Sequence, residues 1–263
     1  MPILLAGKAT VPLAMPQVQS KATRRWWART VTAVALAGAA CAGAAVTGVA
    51  PAHADPRITQ TIHLGGAPVG VAVNPAGTQA YVTDLFGTTV SVIQLSTDTV
   101  QKKITVGRNP WAVAFNPRGT LAYVTNIADS TVSVIQTSTG TVSKTITVGS
   151  IPYSVAFNPK GTQAYVTNFA ADTVSVIQTS TGTVSKTIPV GANPIAVAFN
   201  PQGTQAYVTN LRGQTVSVIQ ASTGTVSKTI PLGGSPVEVA FSPRGNKAYV
   251  TVYDNGTVQV INS

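Results

Sequence analysis

Cysteine and histidine are nearly missing from this chain. Its 263 residues include one Cys and two His. Metal sets built from His and Cys need more of both, and so does Ser-His-Asp chemistry, so neither class fits. Charge is scarce as well. Charged residues make up 9% of the chain, far below the usual quarter. Only 7 are acidic, against 17 Lys+Arg, which leaves little for a reaction run by paired carboxylates. No segment carries a helical hydrophobic period with caps, and no glycine-rich phosphate loop leads into a helix. The hydrophobic fraction of 44% nevertheless excludes a disordered chain. A formal charge of +10 raises the question of a nucleic-acid partner.

Most of that question is answered by where the charge lies. Residues 1–30 carry Lys8, Lys21, Arg24, Arg25 and Arg29 and no acid. Val31 to Ala50 is uncharged and rich in Ala, Val and Gly, and Ala52-His53-Ala54 precedes Asp55. A basic region, an apolar region and a small-x-small site are the three parts of a secretory signal peptide, which is assigned to residues 1–54. The apolar stretch has the length of a membrane span, roughly 17–25 residues. Its small, weakly apolar residues run straight into the cleavage pattern, so no retained span is expected. Thr23-Arg24-Arg25-Trp26-Trp27-Ala28-Arg29 resembles a twin-arginine export signal, with Trp27 and Ala28 where Phe and Leu are commoner. The general secretory route stays open beside it, and Met15 is an alternative initiator. Cys41 falls inside the signal, and Gly38 stands where a lipid-attachment motif wants Leu. The expected location is secreted or associated with the cell envelope.

Five basic residues leave with the signal, so 12 Lys+Arg face all 7 acids, a net of +5. The rest are scattered. Arg118, Lys160 and Arg244 fall in turns, while Lys144, Lys186 and Lys228 share one position on a predicted outer strand. Lysine there protects an exposed edge from pairing. No nucleic-acid partner is expected.

What the exported segment has in abundance is repetition. Tyr81, Tyr123, Tyr165, Tyr207 and Tyr249 are spaced by 42 residues, as are Pro68, Pro110, Pro152, Pro194 and Pro236. Each unit predicts four strands. In the second unit these are Trp111 to Phe115, Leu121 to Thr125, Thr131 to Ile135 and Val142 to Val148. Turns at Asn116-Pro117-Arg118-Gly119-Thr120 and Ser138-Thr139-Gly140-Thr141 separate them, with a polar loop at Asn126 to Ser130. Four-stranded repeats of this length indicate a β-propeller.

Tyr123-Val124-Thr125-Asn126, Tyr165-Val166-Thr167-Asn168 and Tyr207-Val208-Thr209-Asn210 resemble the YVTN propeller repeat of bacterial and archaeal exported and surface-layer proteins. Tyr81-Val82-Thr83-Asp84 and Tyr249-Val250-Thr251-Val252 are close variants, and Val113-Ala114-Phe115-Asn116-Pro117 with its copies extends the likeness over about residues 57–263. The resemblance implies a propeller, more often of seven blades, and no particular chemistry. Here the strand count closes at five. Residues 57–64 align with a fourth strand, four repeats follow, and Val237 to Ile261 supplies three strands more. The expectation is an all-β, five-bladed β-propeller over residues 55–263, of four-stranded antiparallel blades. Its ring is closed by the N-terminal strand pairing in the last blade. The alternative is an open arc that needs a partner.

One loop face repeats nearly unchanged and the other varies between copies. The variable face supplies the candidate ligand-binding residues: Trp111 and Tyr153 at one equivalent position, Phe86, Phe169 and Tyr253 in loops, and Arg108, Arg212, Asp129 and Asp172 around them. Catalytic residues are not assigned. The expected function is a monomeric, exported binding or structural module whose partner is a protein, a cell-wall polymer or a small ligand. The alternative is a metal-dependent hydrolase of lactonase type, with Asp84, Asp129, Asp172 and Asp254 around a calcium ion. Otherwise no cofactor is expected. The inner strands offer a single acid, Glu238, and His63 reads as a surface residue.

Overall fold

The structure, a computed structural model, describes residues 57–263. The assigned export signal lies outside the described residues. Among them, 19 strands form five antiparallel sheets, and no helix is long and apolar enough to cross a membrane. The first sheet holds β1 (Pro68–Val73), β2 (Gln79–Asp84), β3 (Thr89–Gln94) and β4 (Thr99–Thr105). The second holds β5 (Pro110–Phe115), β6 (Leu121–Asn126), β7 (Thr131–Gln136) and β8 (Thr141–Thr147). The third holds β9 (Pro152–Phe157), β10 (Gln163–Asn168), β11 (Thr173–Gln178) and β12 (Thr183–Pro189). The fourth holds β13 (Pro194–Phe199), β14 (Gln205–Asn210), β15 (Thr215–Gln220) and β16 (Thr225–Pro231). The fifth has three strands, β17 (Pro236–Phe241), β18 (Lys247–Val252) and β19 (Thr257–Asn262).

Every sheet is a meander in which neighbours in sequence are neighbours in space. The turn after each first strand is held by its asparagine. In the second sheet Asn116 Oδ1 accepts from the amides of Thr120 (2.9 Å) and Leu121 (3.1 Å), while the Gly119 amide donates to the Asn116 carbonyl. Gly119 has φ 68°, a conformation that glycine adopts without strain. This is why Asn-Pro-x-Gly-Thr recurs. In the last sheet Ser242 takes the place of Asn, and its hydroxyl accepts from the Lys247 amide.

In the second, third and fourth sheets both faces of a middle strand are covered, because each is packed between two others. In β7 four consecutive residues, Val132 to Ile135, are buried. Tyr81, Val90, Val92 and Ile104 of the first sheet meet Val113, Ala122, Val124 and Ile135 of the second. The same set recurs 42 residues on, at Tyr123, Val132, Val134 and Ile146 against Val155, Ala164, Val166 and Ile177, and again one sheet later. Each buried Val or Ile contributes about 1.5–3 kcal/mol. Each of the first four sheets also lays its Tyr edge-on against the Phe of the next, with centroids 4.7 Å apart, as at Tyr81–Phe115 and Tyr165–Phe199. Such pairs add about 0.5–1.5 kcal/mol. Packing between sheets is closest along their first strands, β1 on β5, β5 on β9, β9 on β13 and β13 on β17. The arrangement is propeller-like.

The closing strand differs from expectation. Residues 57–64 form no strand and do not join β19, so the twentieth strand is not made. Instead Ile62 and Leu64 pack on Ala80, Val82 and Ile93 of the first sheet. That apolar face has no sheet before it, and the segment that covers it is the one nearest in the chain, whose loop is the least costly to close.

Candidate functional site

In Tyr-Val-Thr-Asn each side chain has a structural task. The Tyr packs forward on the next sheet's Phe and the Val faces the preceding sheet. The Thr joins two sheets. Thr167 Oγ1 accepts from the Ser154 amide of its own sheet (2.9 Å) and donates to the Ile195 carbonyl of the next (2.8 Å). Thr83, Thr125 and Thr209 repeat the link, to the carbonyls of Trp111, Tyr153 and Val237. The Asn braces the following strand, with Asn168 Nδ2 donating to the hydroxyls of Thr173 (3.0 Å) and Ser175 (2.9 Å). Burial without charge partners pushes the Tyr123 phenol up to about 12. The motif is therefore fully used in building the fold.

The variable end is formed by the links between sheets and the hairpins that join second and third strands. Here Trp111 and Tyr153, on adjacent first strands, stack at a tilt with centroids 4.6 Å apart. Tyr153 also meets Phe169, from the hairpin after β10, at 5.5 Å. Three of the five candidate aromatics thus make one half-buried cluster. Phe86 and Tyr253 stand apart from it, 74% and 65% exposed. Arg108 forms an ion pair with Asp129, Nε to Oδ1 at 2.6 Å, and its amide donates to Oδ2 at 2.7 Å. These bonds hold the Asp129 carboxyl below its ordinary value. Arg212 is exposed on its hairpin.

The four loop aspartates share a role that their spacing does not reveal. Asp84, Asp129 and Asp254 each accept from a backbone amide of the link before their own sheet, at Ala67, Arg108 and Ser235, and Asp172 accepts from that of Asn193. Asp172 alone reaches forward, to the link after its sheet. Among the described residues no three His, Cys, Asp or Glu side chains come together as a metal set would require. The carboxylates are committed to backbone amides, so the residues present do not fit a calcium ion held by all four. Glu238 stands on β17, the first strand of the last sheet; the residue keeps an exposed edge, and the protein packed around its carboxyl raises it above the usual range by desolvation.

Sequence reasoning missed Ile151. It occupies the link just before Tyr153 with φ 54°, a left-handed conformation that is an outlier for a β-branched residue. The equivalent residues are Asn109 and Asn193, at φ 52° and 53°. Both use the side chain to reach a hairpin carbonyl of the preceding sheet, Leu85 (2.7 Å) and Phe169 (2.9 Å). Ile151 keeps the strained backbone and gives up that bond. The clue in the sequence was an Ile aligned with two Asn.

The family described as "Lactonase, 7-bladed beta-propeller" matches residues 70–225. No curated protein matches the chain. Among solved structures, hydrazine synthase from Kuenenia stuttgartiensis is similar at 18% identity, with a TM-score of 0.63 and 80% of each chain covered. A functionally unknown protein from Desulfotomaculum acetoxidans is similar at 18% identity, with a TM-score of 0.66, covering 76% of this chain and 70% of that one. At such identity the likeness is one of fold.

Proposed function

This chain belongs to the lactonase family of β-propellers, and from that footing we propose that it is an exported binding module of the cell envelope or extracellular space. In this proposal its YVTN-type repeats make five blades, and its ligand seats on the aromatic cluster of Trp111, Tyr153 and Phe169. The observation that carries the proposal is the cluster's position. It occupies the end of the molecule where near-identical repeats differ, and it lies beside Ile151, where stability has been given up for an apolar side chain. Aromatic side chains offer large contact area at low entropic cost, and they concentrate binding energy. Asp129 and Asp172 shape the rim through the links they hold, and Arg108, Arg212, Phe86 and Tyr253 surround it.

Trp111 makes the proposal testable. The other two Trp residues, Trp26 and Trp27, lie in the export signal. In a chain carrying W26F and W27F, Trp111 emission reports on the mouth alone. Titration with solubilised cell-wall polymer, and separately with envelope proteins, is expected to shift that emission saturably, and Tyr153→Ala is expected to weaken binding at least tenfold. Binding that survives both Trp111→Ala and Tyr153→Ala would place the ligand elsewhere.

The family description favours a second reading, a lactonase-type hydrolase. It would need acids at the mouth that are free to act, whereas the four loop aspartates each hold a backbone amide. Lactone hydrolysis that depends on added calcium and is abolished by Asp129→Asn or Asp172→Asn would establish it over the binding module.

A further inference from the structure

We infer that the end of the molecule built from its constant turns is a docking face for an anionic lipid surface. The inference goes beyond the binding module proposed above. It requires neither a ligand at the mouth nor a fixed number of blades.

Along the sequence the basic residues of the repeats are scattered, but the meander gathers them. In such a sheet the first and third hairpins come out at the same end. The turns after the first strands place Arg118, Lys160 and Arg244 there, all exposed, at one repeat position. Ala76 and Gln202 hold that position in the other two sheets. Lys247 follows, exposed, at the start of β18. The outer strands add three more cations. Lys102, Lys144 and Lys186 each reach the third hairpin of the next sheet, where Nζ donates to the carbonyls of Thr139, Thr181 and Thr223 at 2.8 Å. A carbonyl fixes an ammonium group in place and leaves its charge intact. Among the described residues the acid in these hairpins is Asp98, one against seven cations.

The variable end has the opposite balance. Asp84, Asp129, Asp172 and Asp254 lie there against Arg108, Arg212 and Lys103, whose Nζ donates to the Leu64 carbonyl (2.9 Å). The strands that separate the two ends are six or seven residues long, which is roughly 20 Å. Surface charge is screened over about 8 Å at physiological ionic strength. The aspartates therefore do not cancel the cations, and the molecule has one basic end.

That end is also firm. Successive turns rest on one another, so that a Cβ at Gly119 would lie 3.1 Å from Pro75 Cδ, and one at Gly161 3.0 Å from Pro117 Cδ. At the next steps Gly203 meets Pro159 in the same way, and Gln202 Nε2 donates to the Arg244 carbonyl (3.0 Å). Copied turns packed side by side present their charges in one layer. None of the exposed large hydrophobic residues lies in these turns. The face thus has no wedge to insert between acyl chains and no ring on which a base could stack. Its attraction is electrostatic, and a layer of fixed cations is matched by a layer of phosphates, the headgroups of an anionic leaflet. A single polyanionic strand is instead held in a groove with aromatic platforms, which this end does not offer. Docked in this way, the molecule turns its variable mouth away from the lipid.

Cosedimentation of the full chain with vesicles tests the inference. Lys8, Lys21, Arg24, Arg25 and Arg29 are replaced by Gln in every protein used, so that residues 1–30 add no basic side chain. Affinity is measured for vesicles of equal parts phosphatidylcholine and phosphatidylglycerol, and for phosphatidylcholine alone. The ratio of the two removes any apolar insertion. A preference for the anionic vesicles that vanishes at high salt is expected. One Lys or Arg at such a surface changes affinity about fivefold, so Lys160→Gln is expected to lower the ratio by that factor. Arg118→Gln, Lys160→Gln and Arg244→Gln together are expected to lower it at least about twentyfold. Gln already stands at this position in the fourth sheet, so the turn accepts it. Lys103→Gln removes the same charge from the other end and is expected to change the ratio less than about twofold. Equal affinity for the two vesicles overturns the inference, and so does an unchanged ratio in the triple variant. A Lys103→Gln effect as large as that of Lys160→Gln also overturns it, because net charge alone would then explain the binding. Binding to duplex DNA or a polyphosphate chain with no retention on vesicles overturns the lipid partner. None of these outcomes alters the Trp111 titration, so the mouth and the docking face stand or fall separately.

Discussion

The two loop ends of the sheets are built on opposite plans. At one end each hairpin holds itself. Asn158 bonds to residues four and five places ahead, with its Oδ1 accepting two amides and its Nδ2 reaching the Thr162 hydroxyl. Glycine takes the left-handed position at φ 68°. At the other end, order comes from residues about twenty apart, as when Asp172 meets the Asn193 amide, and most left-handed positions fall to Asn, Ile, Ser, Asp and Gln, with glycine at positions such as Gly66, Gly233 and Gly256. Self-sufficient turns are insensitive to their neighbours, so they can be copied unchanged. Turns that lean on a neighbouring link can differ from sheet to sheet, and this is where a recognition surface would be written.

The largest test of this contrast removes the self-held turn. Asn158→Ala removes the acceptor of two part-buried amides and is expected to cost about 2 kcal/mol in denaturant unfolding. Asp172→Ala, at the exposed end, is expected to cost no more than about 1 kcal/mol. Ile151→Asn should act in the opposite direction. Asn tolerates the left-handed backbone and regains the carbonyl bond made by Asn109 and Asn193, here to Ile127, so a gain of about 1 kcal/mol is expected. If the mouth binds through its apolar surface, the same change weakens binding. A stabilised variant with undiminished affinity would remove Ile151 from the site. The smallest effect concerns pH. Arg108 lowers the Asp129 carboxyl in the folded state, so that ion pair's contribution is present above the ordinary carboxylate range and is lost as pH falls through the lowered value. Asp129→Asn should flatten this part of the acid limb of the stability curve and leave the neutral region little changed, because the pair is exposed to solvent.

Strands and sheet order were legible because a period of two inside a period of 42 leaves few alternatives. The expected strand over Trp111 to Phe115 is β5, which adds only Pro110. The grouping of Trp111 with Tyr153 followed from their equivalence, since equivalent residues on adjacent first strands are neighbours. Three features were not legible. Thr167 reaches a carbonyl 28 residues away, a contact set by how two sheets are tilted together. The aspartates left a calcium ring open as an alternative, because the sequence does not show which backbone amides stand nearer to them. Residues 57–64 align in sequence with a fourth strand yet form none, because such an alignment fixes what a segment can pair with and leaves open whether the pairing partner is in reach.

The threonine links have a mechanical meaning. Each joins one sheet only to the next, so a load applied at the two ends passes through a series of near-equal fasteners. Under tension such a chain gives way one link at a time. Each unit that lets go releases 42 residues, about 150 Å of extended chain. Held at its two ends, the chain would then lengthen in even steps under load, and the first step would come from whichever end is left unfastened.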